Sequence, residues 1–147
     1  MKKLNFLDVI VFLFMFLFIY AAVSKLVEYD LFRAQLGKSP LLTRYAGIFS
    51  WLVPGVELIV AGMLFIPRYQ LTGLYGAFTL MLGFTGYIAF ILTFSPYVPC
   101  SCGGILSSMG WGEHLIFNIA FTVLAFVGIV LFGRRFGEST TLYKKPI

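Results

Sequence analysis

The chain has 147 residues, of which 60% are hydrophobic, 18% aromatic and only 12% charged, and its net charge is +5. A soluble domain of this size cannot bury so much apolar surface, because small domains leave much of their chain exposed, so the composition indicates a membrane protein and argues against an ordinary soluble enzyme. The positive charge does not indicate a nucleic-acid partner, because the basic residues lie at the chain ends and between apolar runs, as expected beside anionic lipid headgroups.

Four apolar runs divide the chain, at about residues 6–27, 45–66, 71–94 and 112–132. A helix needs about 20 residues to cross the hydrocarbon core of a bilayer, and its backbone groups must be paired within the segment. The runs do not alternate as the strands of a membrane barrel do. The sequence therefore predicts an all-α integral membrane protein, with a single domain over residues 1–147 built as a bundle of four transmembrane helices.

The first run, which follows Lys2 and Lys3, has two interpretations. Basic residues, an apolar stretch and small residues at 21–24 also describe a cleaved signal peptide. The apolar stretch is longer than the roughly 7–15 residues of a signal sequence, however. Because three more spans follow, we interpret it as a retained first transmembrane helix.

The connection at residues 28–43 is amphipathic and is interrupted by Gly37 and Pro40. Apolar residues such as Leu36 accompany basic residues such as Arg33 and Lys38, which is typical of a segment that lies on a membrane surface. We predict that this connection lies among the headgroups.

A carboxylate, Glu57, lies within the second apolar run. Its charge is costly in lipid unless it has a partner or a proton. The nearest candidate partner is Lys25, near the end of the first span, whose long side chain can reach along the helix; Arg33 and Arg44 are poorer candidates. A pair of Glu57 with Lys25 has two interpretations: a structural ion pair between two spans, and a proton or quinone site.

Four glycines recur in the third apolar run: Gly73, Gly76, Gly83 and Gly86. At 100° per residue they share about 140° of one helix face. Small residues on one face allow a neighbouring helix to approach closely. We therefore predict that this face packs inside the bundle.

Both cysteines of the chain, Cys100 and Cys102, stand in the motif PCSCGG at residues 99–104. A disulfide needs Cα atoms about 4.4–6.8 Å apart, so a Cys-X-Cys pair closes only with a bent backbone and forms a strained ring. Strained disulfides are readily exchanged, and one that closes so little chain adds little stability. The pattern favours thiol–disulfide exchange over a structural role.

Three other interpretations of the cysteines remain open. They can be two small apolar residues, part of a metal site, or partners of cysteines in another chain. A closed zinc-type site has four ligands, and the chain has one His and no third Cys, so we predict no metal.

His114 is the only histidine and lies at the start of the fourth run, near Trp111. Asn118 is one turn later and shares its face. An imidazole near a cysteine pair can take or hold a proton and favour the thiolate. The alternative is that His114 anchors the helix end at the membrane interface beside Trp111.

The distribution of Lys and Arg predicts the orientation. With a cytoplasmic N-terminus, seven basic residues fall on the cytoplasmic side and four on the other, which obeys the positive-inside rule. The seven are Lys2, Lys3, Arg68, Arg134, Arg135, Lys144 and Lys145, and the four are Lys25, Arg33, Lys38 and Arg44. We therefore predict that both termini are cytoplasmic and that the cysteine loop faces the periplasm or an equivalent outside space, where disulfides persist.

Several motifs resemble those of the DoxX-like membrane proteins: SKL at residues 24–26, VPGVEL at 53–58 and FTGY at 84–87. The loop PCSCGG, together with the residues that follow it, is similar to the MauE branch of that group. Those following residues are Trp111, His114, Phe117 and Asn118. The resemblance covers nearly the whole chain.

This resemblance implies a four-helix, redox-associated protein of the bacterial inner membrane. The methylamine-utilisation member is implicated in maturing a disulfide-rich periplasmic dehydrogenase subunit, beside a thioredoxin-like partner. Other DoxX-like proteins are linked to quinol oxidase or thiosulfate oxidation. The chain has no pair of histidines to ligate haem, which argues against a direct oxidase role.

The leading hypothesis is a thiol–disulfide oxidoreductase that exchanges a Cys100–Cys102 disulfide with a periplasmic thioredoxin-like protein, with His114 as a third catalytic residue. The chain has no second thiol pair to pass the electrons on. A lipid-soluble quinone is the electron carrier that would require no additional protein. The alternative is a non-catalytic small subunit or assembly factor of a larger membrane complex. A solute or proton carrier based on Glu57 is a third hypothesis, disfavoured because no inverted repeat is visible.

Overall fold

In the computed structural model, residues 5–95 and 110–143 are described, with side chains as far as residue 137. The secondary structure within these ranges is helical and includes no strand. Its helices are α1 (Phe6–Val27), α2 (Tyr29–Lys38), α3 (Ala46–Phe65), α4 (Gln70–Phe94) and α5 (Trp111–Tyr143). Short 3-10 helices at Thr43–Tyr45 and Pro67–Tyr69 lead into α3 and α4.

Four helices in the described ranges, α1, α3, α4 and α5, are long and apolar enough to cross a membrane. The predicted all-α, four-span architecture is therefore confirmed. The predicted limits of the first three spans agree with α1, α3 and α4 to within one residue. The fourth prediction ended at residue 132, whereas α5 continues to Tyr143, because the apolar run stops before the helix does and no Pro interrupts the segment.

The outer surface of the bundle is apolar. Phe16, Phe65, Phe94 and Ile116 are each about 70% exposed, and such side chains are stable at a surface only where the surrounding medium is itself apolar. The bundle therefore lies in a lipid bilayer as a multi-pass membrane protein.

The connection between the first two spans contains α2, which packs against α3. Leu36 is buried in this contact, whereas Leu31 on the same helix is 53% exposed. The Tyr29 ring lies 5.0 Å from the Trp51 ring, and the Tyr29 hydroxyl is 3.0 Å from that of Ser50. These contacts fix α2 across the end of the bundle at which α1 finishes.

Within the bundle, α1 packs mainly on α3, and α4 packs mainly on α5. The most tightly packed region of the bundle is formed by four segments: the first parts of α1 and α4, the last part of α3 and the middle of α5. We call this region the closed half; its buried residues include Leu7, Ile10, Phe14, Leu64, Leu74 and Ala125. At its edge the Asp8 carboxylate lies 3.6 Å from the Arg135 guanidinium, so the beginning of α1 and the later part of α5 lie at the same end of the bundle.

The four predicted packing glycines of α4 divide into two pairs. A Cβ added to Gly73 would lie 2.9 Å from Leu64 Cδ2, and one added to Gly76 would lie 2.9 Å from Val60 Cγ2. These distances are shorter than van der Waals contact, so both glycines permit the close approach of α4 to α3.

Gly83 and Gly86 do not share that role. They are exposed, and a Cβ on either would have no heavy atom of a neighbouring element within 4 Å in the described structure. The prediction that all four glycines pack together is wrong for these two. At 100° per residue Gly86 lies about 180° around α4 from the buried Ala77. Gly86 is therefore on the side of the helix that points away from the interior of the bundle.

Candidate functional site in a polar cavity

An ion pair between α1 and α3 lies inside the bundle. Lys25 Nζ is 2.9 Å from Glu57 Oε1 and 3.2 Å from Glu57 Oε2, and it donates a third hydrogen bond to the carbonyl oxygen of Ala21 at 3.3 Å. An ammonium group has three donors, so all of them are engaged. Lys25 is 5% exposed and Glu57 is 1% exposed. The structure thus brings together the two residues that the sequence proposed as a pair.

The position of Lys25 follows from the helix that carries it. Lys25 lies in the last turn of α1, where the partial negative charge of a helix C-terminus favours a cation. Aromatic rings from two other helices cover its ammonium group, with Phe32 of α2 at 5.9 Å and Phe84 of α4 at 5.8 Å. Ring faces attract cations at these distances, so the charge is held by Glu57 and by aromatic faces together.

Beside the ion pair is a cavity of about 80 Å³ between α1, α3, α4 and α5, partly open to the bundle surface. A cavity needs only about 10–15 Å³ to hold one water molecule, so this one accommodates more than a single water. Most of its walls are apolar or aromatic, and each of the four helices contributes at least one polar side chain. The lining residues are Leu17, Phe18, Ala21, Lys25, Glu57, Met81, Phe84, Tyr87, Ile88, Trp111, His114, Phe117 and Asn118.

His114 enters the cavity from the first turn of α5. The turn is closed by two contacts of Gly110, whose carbonyl accepts the His114 N–H at 2.9 Å and whose N–H donates to Glu113 Oε2 at 3.3 Å. His114 is 8% exposed, and its ring makes no hydrogen bond to a residue in the described ranges. Lys25 is near enough to act on it electrostatically. The imidazole is therefore a buried group with unused hydrogen-bonding capacity that lines the same cavity as the ion pair.

The next turn of α5 holds His114 in place. The Asn118 side-chain amide donates to the carbonyl oxygen of His114 at 2.8 Å, and Asn118 is 3% exposed. The Thr122 hydroxyl donates to the Asn118 carbonyl at 2.7 Å and lies 3.3 Å from the hydroxyl of Thr85 on α4. This series of hydrogen bonds ties the cavity wall of α5 to α4.

The two interpretations of His114 each have a structural counterpart. The Trp111 and His114 rings lie 6.3 Å apart and nearly parallel, as expected of side chains that anchor a helix end. Burial beside Lys25 and Glu57, however, places His114 within the cavity rather than at the lipid interface. The position of His114 in the cavity thus permits its ring to accept and donate protons.

Sequence reasoning did not identify the aromatic walls Phe84, Tyr87 and Phe117 as part of the site. A signal was present, because Phe84 and Tyr87 are three residues apart on α4, as are Trp111, His114 and Phe117 on α5. Residues three or four apart share a helix face, so each set forms one continuous wall.

Cys100 and Cys102 lie outside the described residues. The two ends of their loop are described, and both lie at the cavity end of the bundle. Ser95 directly follows α4, two turns after the cavity residues Tyr87 and Ile88, and Gly110 directly precedes Trp111. Among the described side chains, at residues 5–95 and 110–137, there is no group of three His, Cys, Asp or Glu that could hold a metal ion.

The chain matches one family model, described as "Methylamine utilisation protein MauE", over residues 3–131. This range includes the first three spans, most of the fourth, the cysteine loop and every residue of the cavity. No curated protein matches the chain, and no solved structure does. Because the match covers most of the sequence, the chain belongs to the MauE family of membrane proteins.

Proposed function

We propose that this protein is a membrane thiol–disulfide oxidoreductase, which exchanges a Cys100–Cys102 disulfide with a thioredoxin-like protein during the formation or maturation of disulfides in exported proteins. The observation that carries the proposal is the placement of His114. It is buried, it has no hydrogen-bond partner for its ring within the described chain, and it lies in the first turn after the cysteine loop.

The exchange has two steps. A thiolate of the partner attacks one sulfur of the Cys100–Cys102 disulfide, which forms a mixed disulfide and releases the other cysteine as a thiolate. The second partner thiol then attacks the mixed disulfide, so the partner becomes oxidised and the protein holds two thiols. The reverse sequence of the same steps delivers a disulfide to this protein.

His114 serves these steps as a proton carrier. Only the thiolate is nucleophilic, and an imidazole titrates near neutral pH and can exchange a proton with a thiol. Its ring stacks on Trp111 but makes no hydrogen bond to another residue in the described ranges, so its proton-transfer capacity is unused in the resting structure. The hydrogen bond from Asn118 to the His114 carbonyl fixes the turn that carries the ring.

The proposed location is the bacterial inner membrane, with the cysteine loop in the periplasm. Residues 95–112 contain no Lys or Arg, as expected for a translocated loop under the positive-inside rule. An oxidising compartment would allow the Cys100–Cys102 disulfide to persist between turnovers.

Trapping of mixed disulfides tests the proposal. In the reverse direction, a cysteine thiolate of this protein attacks the partner's disulfide, and the neighbouring cysteine then resolves the mixed disulfide. Removing that neighbour blocks the resolution, so Cys100→Ser or Cys102→Ser should accumulate a covalent complex with the oxidised partner that dithiothreitol dissociates. The Cys100→Ser/Cys102→Ser double variant is the matched control and should trap nothing. If neither single variant traps a partner and the partner's thiols keep their normal redox state in cells, the exchange hypothesis is wrong.

A second candidate function, a non-catalytic subunit of a larger membrane complex, is favoured by one observation. Gly83 and Gly86 form an exposed small-residue surface on α4 with open space beside it, which is suited to close contact with another helix. Gly83→Leu should then release the protein from a complex on native gels. Gly62→Leu, at an exposed α3 glycine with equally open surroundings, is the control.

A further inference from the structure

We propose that the cavity beside Lys25, Glu57 and His114 binds the ring of a lipid-soluble quinone, which reoxidises the reduced cysteine pair. This inference rests on the proposed exchange function and gives it a direction: the protein oxidises its partner and passes the electrons to the quinone. It also assigns a role to Lys25 and Glu57, which the exchange reaction itself does not use.

The need for an acceptor follows from the electron count. Oxidation of a partner leaves Cys100 and Cys102 as thiols, and the chain has no other cysteine to receive the two electrons. A quinone accepts two electrons and two protons and is dissolved in the bilayer that surrounds the protein. Two S–H bonds break, one S–S bond forms, and each carbonyl oxygen of the quinone gains one proton, so atoms and electrons balance.

The cavity has the chemistry of a quinone-ring site. Its walls include Phe84, Phe117 and Trp111, whose faces stack on a flat conjugated ring. Small-molecule sites are typically apolar with a few polar groups that fix orientation. Here we assign His114 as a hydrogen-bond donor to a quinone carbonyl, because its ring makes no hydrogen bond to a described residue, whereas the three donors of Lys25 are engaged by Glu57 and Ala21.

The ion pair has an electrostatic role in this site. Reduction of a quinone builds negative charge on its oxygens, and a preorganised positive charge in a site that excludes water stabilises that charge. Glu57 holds the Lys25 ammonium at the cavity wall. Glu57 and Lys25 are therefore positioning and electrostatic groups, and His114 is the group that contacts the quinone and transfers a proton.

The size and opening of the cavity determine how the ring enters. Its volume of about 80 Å³ is roughly half of the ~150 Å³ that encloses a benzene ring in a dry protein cavity. Because the cavity is partly open to the bundle surface, it holds one edge of the ring, and the rest of the ring and the tail lie in the lipid at the opening. The tightly packed closed half ends the cavity on the other side.

The two tryptophans of the chain provide the test. Trp111 lines the cavity, whereas Trp51 on α3 is 63% exposed on the outer surface. In nanodiscs, the Cys-free protein (Cys100→Ser/Cys102→Ser) with Trp51→Phe retains only Trp111, and with Trp111→Phe it retains only Trp51. Each is titrated with a ubiquinone that carries one isoprene unit, and quenching of tryptophan fluorescence is measured.

We expect saturable quenching of Trp111 and only linear quenching of Trp51 by quinone dissolved in the lipid. His114→Ala should weaken the saturable component about five- to tenfold, the effect of one lost hydrogen bond, while Thr79→Ala at an exposed site on α4 should not. Linear quenching of Trp111, or the same saturable quenching of both tryptophans, would overturn the proposal. Retained chromatographic size and thermal unfolding establish that each variant is folded.

This measurement is independent of the exchange function, because it uses protein without cysteines. Saturable binding together with failed mixed-disulfide trapping would contradict thiol exchange and leave the quinone site intact. Successful trapping without saturable binding would contradict the quinone site alone. In the wild-type protein, reduced with dithiothreitol and freed of it, an equimolar loss of quinone absorbance and of thiols would show the proposed electron transfer.

Discussion

Lys25 and Glu57 stand 32 residues apart in the sequence and face each other inside the bundle, with Lys25 Nζ 2.9 Å from Glu57 Oε1. The contact joins the end of α1 to the middle of α3 and forms one side of the cavity. Two charges removed from water stabilise a fold only if both remain paired. Loss of either partner would therefore leave the other charge buried without a counter-ion.

Loss of one charge should destabilise the protein strongly. In Glu57→Gln the Lys25 ammonium keeps its charge without a counter-ion, and removal of one partner from a buried pair costs about 3–5 kcal/mol. Chemical unfolding in detergent, followed by circular dichroism, measures the change in the free energy of unfolding. Lys25→Met/Glu57→Leu removes both charges and should recover most of the loss. Equal stability of Glu57→Gln and the wild-type protein would show that the pair contributes nothing.

The two classes of glycine in α4 should respond differently to a methyl group. Gly73→Ala would place a Cβ 3.0 Å from the Leu64 backbone nitrogen, and such overpacking costs about 1–3 kcal/mol. Gly83→Ala has open space beside it and should be neutral or more stable by up to about 1 kcal/mol, the helix propensity difference. The same unfolding measurement compares the two. A matching loss in both variants would contradict the packing described for α4.

Replacement of His114 should slow thiol oxidation without unfolding the protein. General acid–base groups contribute about 10²–10⁴-fold to a rate, so His114→Ala is expected to lower the rate at which quinone oxidises the cysteines by at least about a hundredfold. Stopped-flow absorbance of the quinone measures this rate. Glu113→Gln, at an exposed position in the same turn, is the control. An unchanged rate in His114→Ala would leave only the anchoring role.

Labelling of single cysteines tests the predicted orientation. A membrane-impermeant maleimide applied to spheroplasts should reach Lys38→Cys in a Cys-free background, whereas Arg68→Cys should react only after permeabilisation. Both residues are exposed and lie in connections on opposite sides of the bundle. In the wild-type chain, labelling of Cys100 and Cys102 only after reduction would show an external disulfide. The opposite labelling pattern would show that the topology is inverted. The cysteine loop would then not face an oxidising compartment.

Sequence reasoning succeeded where a residue type constrains its surroundings strongly. Glu57 could not remain in lipid without a partner, and Lys25 was the cation within reach, so the pair could be named before the structure. The spans followed from length and hydropathy alone. The end of α5 could not be placed, because hydropathy reports the membrane boundary while the helix continues through Arg134 and Arg135.

The cavity and the exposed surface at Gly83 and Gly86 could not be predicted from the sequence, for a different physical reason. In a soluble helix the polar face shows which side packs inward, but the faces of these helices are apolar all round because lipid replaces water. The sequence therefore does not show that Ala77 faces the interior of the bundle whereas Gly86 faces outward. A cavity depends on where side chains of several helices fail to fill space, which residue types alone do not specify.

Because of the closed half, water and protons can reach the interior of the bundle from one side of the membrane only. Phe14, Leu64 and Leu74 are fully buried there, and side chains packed at this density leave no continuous path for water or ions. A proton that reaches His114 must therefore arrive and depart by the same face of the bilayer. Turnover at this site moves no net charge through the protein, so it should proceed at the same rate in energised and de-energised membranes.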